Sequence, residues 1–73
     1  MPRYYFNVQD DLVPIDDHGT ELTDAAAAKI MALRVAGDYI RELGPDFLNK
    51  PNWQLEVTDE VARRVVTIKL LVY

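Results

Sequence analysis

The chain has 73 residues, no cysteine, twelve acidic against eight basic side chains and a formal net charge of −4. That length holds one domain, residues 1–73, with a modest core, because a chain this short buries only about 60% of the surface its unfolded form exposes. Without cysteine there is no disulfide framework, no thiolate zinc site and no thiol nucleophile. The acid excess argues against a general nucleic-acid binder, which needs basic surface to displace phosphate counterions. No apolar run approaches the roughly 20 residues of a membrane-spanning helix. The first residues lack the apolar stretch of a secretory signal, so the expected compartment is the cytoplasm. The charge itself is uneven: residues 1–24 carry one base and six acids, while residues 25–73 carry seven bases and six acids.

In chain order, Arg3–Gln9 alternates, with Tyr4, Phe6 and Val8 on one side and Arg3, Tyr5 and Asn7 on the other. This predicts a half-buried strand. Asp10-Asp11 is turn chemistry, and Leu12–Ile15 reads as a short second strand that Pro14, lacking an N–H, confines to an edge. Asp16-Asp17-His18-Gly19 reads as a loop in which Gly19 takes a positive φ.

A long helix is expected from about Asp24 to Leu43, capped by Thr23 or Asp24 and ended by Gly44-Pro45. At 100° per residue, Ala26, Ile30, Leu33, Gly37 and Ile40 form one apolar stripe, the one predicted to lie on the sheet. Arg34, Asp38, Arg41 and Glu42 form a polar stripe, with Arg34 and Asp38 spaced for an ion pair. A third face, with Ala28, Met31, Ala32, Val35 and Tyr39, is apolar as well. Residues 45–52 read as a loop carrying the apolar plug Phe47-Leu48. Trp53, Leu55 and Val57 alternate with Gln54, Glu56 and Thr58 in a third strand, Asp59–Ala62 turns, and Arg64–Tyr73 forms a fourth. The class is α+β in the order β-β-α-β-β: an antiparallel sheet with one long helix packed on one face.

Few residues here carry chemistry. Asp16, Asp17, His18 and Glu21 are a candidate acidic site, with oxygens suited to a hard cation such as calcium or magnesium. Their spacing departs from the calcium-loop pattern, and a solvated turn that supports the helix N-terminus accounts for them. His18 is the sole histidine, and the chain has no serine to serve as its nucleophile. Arg63, Arg64 and Lys69 make a small basic spot, with Tyr4, Tyr5 and Trp53 as stacking candidates, although aromatic residues at strand positions usually build core. The three glycines stand far apart, so no phosphate-cradling loop exists. No catalytic constellation is found, and no cofactor or metal is expected.

Apolar surface is in surplus. Met31, Val35 and Tyr39 on the helix, with Val65, Leu71 and Tyr73 on the last strand, have no obvious home in a two-layer monomer. They are the expected interface of a homo-oligomer, which would also offset the marginal stability of so short a chain. The alternative is a regulator that holds a basic protein through the acidic segment 10–24.

Met1-Pro2-Arg3-Tyr4-Tyr5-Phe6, the run Asp16-Asp17-His18-Gly19-Thr20-Glu21-Leu22 with Asp24, and Trp53–Glu60 together resemble a family of very short proteins common in rhizobia and related alphaproteobacteria, a domain family of unknown function. The resemblance spans nearly the whole chain. It implies signature positions at Gly19, Glu21, Leu22 and Asp24, in a loop entering a capped helix, and supplies no activity, substrate or cofactor. The chain departs from the pattern at Val61-Ala62, where the hairpin commonly carries a glycine. A weaker likeness, at the level of fold alone, runs to small antitoxins of the HicB type.

Overall fold

The computed structural model describes residues 1–9, 15–49 and 53–71. Strand β1 (Arg3–Val8) and the two-residue β2 (Thr20–Glu21) precede helix α1 (Ala25–Leu43). A 3₁₀ segment, Gly44–Asn49, leads on to β3 (Trp53–Thr58) and β4 (Arg64–Leu70). The strands form one four-stranded antiparallel sheet in the order β2-β1-β3-β4, with α1 packed against β3 and β4. The α+β class and the β-β-α-β-β order therefore hold.

Register divides the sheet into two faces. Phe6 pairs with Val57 and Val8 with Leu55, while Leu55 pairs with Ile68 and Val57 with Val66. Directly opposed residues share a face, so these side chains line the helix side. The other side carries Asn7, Glu56 and Thr67 in one row, with Tyr5 and Thr58 in the next. Tyr4, Trp53, Leu55 and Val57 are buried with Phe47 and three alanines of the helix. Trp53 stands at the centre, its ring 5.8 Å from both Tyr39 and Phe47 in tilted arrangements.

The helix obeys its expected bounds but not its expected phase. Asp24 is the cap, its carboxylate accepting the Ala27 N–H at 2.9 Å, and Gly44 closes the far end at φ +53°. The residues turned to the sheet are Ala28, Ala32 and Ala36, with Val35, Tyr39 and Leu43 beside them. The stripe predicted to lie there is exposed instead: Ile30 by 56%, Leu33 by 66% and Ile40 by 41%. The reason is volume. The sheet face and the 3₁₀ segment already present Tyr4, Trp53 and Phe47, and an alanine ridge lets the helix approach those rings where isoleucine and leucine would hold it off.

Further expectations meet the structure as follows. The described strand before the helix is Thr20–Glu21; of the strand expected at Leu12–Ile15, Ile15 is exposed and outside any strand, and residues 12–14 lie outside the described residues. The segment after the helix is 3₁₀ up to Asn49 rather than loop, and only the Phe47 half of the plug is buried, with Leu48 66% exposed. Within the polar stripe, Asp38 pairs with Arg41 at 3.4 Å. No described helix is long and apolar enough to cross a membrane.

Candidate functional site

The acidic loop is held together by its own backbone. The Asp16 carboxylate accepts the N–H groups of Gly19 at 2.9 Å, Phe6 at 3.0 Å and His18 at 3.2 Å. The Asp16 N–H in turn donates to Asn7 Oδ1 at 2.8 Å. Partial burial pushes this carboxyl up, but the three N–H donors and the nearby His18 outweigh it and hold Asp16 below the usual carboxylate range. The position of Phe6 explains the arrangement. Leu22 N–H donates to the Pro2 carbonyl and Tyr4 pairs with Thr20, so the N–H of Phe6 points to the same edge, beyond the end of β2. Asp16 therefore supplies the acceptor that a longer β2 would have provided.

Gly19 completes the loop at φ +72°, where a Cβ would stand 2.7 Å from Arg3 Cγ and 3.0 Å from the Tyr4 carbonyl oxygen. Close approach and backbone conformation both require glycine there. Arg3 lies across the loop, donating to the His18 carbonyl at 2.8 Å and to the Glu21 carboxylate at 2.9 Å.

Acids do the same work elsewhere. Glu60 Oε1 accepts the N–H of Arg3 at 3.1 Å, tying the β3–β4 hairpin to the start of β1. Asp59 Oδ1 accepts the N–H groups of Val61 at 3.0 Å and Arg63 at 2.8 Å, organising the hairpin turn. In that turn Ala62 holds φ +63°.

The candidate acidic site thus does not gather around one point. Asp16 faces the backbone of β1, Glu21 is paired with Arg3, and the exposed His18 lies 3.4 Å from Asp17. Among the described residues no group of three or more histidine, aspartate or glutamate side chains is placed to hold a metal ion. Of the stacking candidates, Tyr4 and Trp53 are core residues, and Tyr5 is half-buried on the opposite sheet face. Of the two cap candidates, Asp24 is the one whose side chain accepts from the first turn.

The expected interface residues are dispersed. Val35, Tyr39 and Val65 pack against the core, and Met31 is half-buried. Leu71 is 56% exposed, and Tyr73 lies outside the described residues. The lack of an internal home that assigned Val35, Tyr39 and Val65 to an interface does not hold. On α1 the exposed apolar side chains are Ile30, Leu33 and Ile40, on its outer face. The sequence pattern contained that stripe, and its assignment to the sheet concealed it.

No curated protein and no solved structure matches the chain. A family model does match, over residues 3–71, covering β1 through β4 and every residue of the Asp16 loop described above. The chain belongs to the family described as Domain of unknown function (DUF6894).

Proposed function

We propose that this chain is a small homo-oligomeric protein-interaction domain that associates through the outer face of α1. One observation carries the reading. Ala26, Ile30, Leu33, Gly37 and Ile40 follow one another at spacings of four, three, four and three residues, the repeat of a helix-pairing seam. The three large members of that seam are exposed. Gly37, at its centre, has open space around the position a Cβ would take, so a partner helix can come close there.

Light scattering at micromolar concentration is expected to give at least twice the monomer mass. Leu33→Glu is expected to return the protein to a monomer with its circular dichroism unchanged, since Leu33 lies outside the core. A wild-type mass of one chain up to several hundred micromolar would refute the reading.

The second reading, an antitoxin-like regulator holding a basic partner through segment 10–24, is supported by charge alone. The carboxylates of Asp16, Glu21 and Asp24 are already engaged within the chain, which favours the helix face as the contact surface.

A further inference from the structure

Building on the self-association reading, we infer that the second copy docks on the β4 side of the molecule. It extends the sheet by antiparallel β4–β4 pairing, with the outer stripes of the two α1 helices meeting above that seam.

Among the described residues β4 has a free edge, and this follows from hydrogen-bond phase. Gln9 N–H donates to the Gln54 carbonyl, so Gln54, Glu56 and Thr58 bond towards β1. Trp53, Leu55 and Val57 then bond towards β4, at Leu70, Ile68 and Val66. The backbone groups of Thr67 and Lys69 consequently point away from the sheet, on its terminal strand. Such a row is a template for another strand.

Topology places the apolar stripe beside this edge. β2 and β3 are both antiparallel to β1 and hence parallel to each other, so β2–α1–β3 is a parallel crossover, right-handed by the rule for such connections. In that hand, with Ala28, Ala32 and Ala36 on the sheet, the right-handed turn of the helix carries Ile30, Leu33 and Ile40 outward on the β4 side. The polar stripe of Arg34, Asp38 and Glu42 falls on the β2 side. The stripe from Ala26 to Ile40 is about 21 Å long and β4 about 24 Å, two matched rows.

A second copy fits both rows through one twofold axis perpendicular to the sheet, which keeps both helices on the same face. An axis at Thr67 sets Lys69 opposite Val65 and Arg64 opposite Leu70, so no cation faces another. The opposite edge is closed to such pairing: β2 has two residues, and the next N–H along β1, that of Phe6, is taken by Asp16. That edge also carries the acidic loop, so association at β4 keeps the two acidic segments apart and limits repulsion between chains of net charge −4.

Amide hydrogen exchange of the ¹⁵N-labelled full chain, followed by NMR over a dilution series alongside the mass, tests this. At concentrations that give a dimer, the N–H groups of Thr67 and Lys69 are expected to slow by about tenfold or more and to recover their free rates on dilution. A dimer in which these two N–H groups exchange at free rates would overturn the β4 seam and leave the helix-face reading standing. A monomer throughout would overturn both. A mass that climbs without limit would indicate head-to-tail stacking and overturn the twofold.

Discussion

Asp16 is an aspartate whose work is done on three backbone N–H groups. Removing it leaves the Phe6 N–H at the sheet edge and the turn at His18-Gly19 without their acceptor. Asp16→Ala is therefore expected to cost about 3 kcal/mol in urea unfolding. The pH dependence has a fixed sign. The folded carboxyl lies below its ordinary value, so its stabilisation is complete above the unfolded pKa, about 3.9, and is lost as pH falls through the lower folded value. Unfolding curves below about pH 4 should show this loss, and Asp16→Asn should flatten it. Ala62 is the converse case, a side chain at φ +63° where the family resemblance anticipates glycine. Ala62→Gly relieves the left-handed strain, about 1–2 kcal/mol, against the greater unfolded-state freedom of glycine, about 0.4–1 kcal/mol. The expected outcome is a gain of up to about 1.6 kcal/mol in thermal or urea unfolding.

At the scale of the element, α1 carries two apolar faces with different uses. The alanine face touches the sheet, and its smallness matters more than its hydrophobicity. Ala32 is fully buried in the core cluster. Ala32→Leu is expected to destabilise by about 1–3 kcal/mol by forcing the helix off the sheet, measured as a lower urea midpoint. The isoleucine and leucine face points away, so substitution there is expected to act on the proposed association rather than on folding. Bounds of the element were legible in local chemistry: Asp24 accepts from the first turn, and Gly44 ends the helix at a positive φ. Phase was not, because two apolar stripes satisfy the same period, and choosing between them requires the shape of the surface opposite. Periodicity favoured the bulkier stripe, and the rings on the sheet excluded it.

For the whole molecule, the carboxylates that hold the fold and the exposed apolar stripe of α1 lie on different parts of the chain. Carboxylates of Asp16, Glu21, Asp24, Asp59 and Glu60 fix backbone N–H groups or Arg3, so much of the negative charge serves the fold. Ile30, Leu33 and Ile40 form an exposed apolar stripe on the outer side of α1. The expected loss of oligomer mass in Leu33→Glu belongs to this scale, because no contact inside one chain reports on it.

The sequence alone determined the elements that local chemistry closes. These are the alternating strands around Phe6, Leu55 and Ile68, the helix between Asp24 and Gly44, the positive φ at Gly19, and the α+β class. Tertiary structure alone decided three other things. It placed β2 at Thr20–Glu21, because that is where Tyr4 finds a ladder partner. It turned Asp16 from a candidate ligand into an acceptor for the N–H of Phe6, ten residues away on β1. It also chose which face of α1 is buried. Each of these depends on what lies opposite a residue in space, and periodicity along the chain carries no record of that.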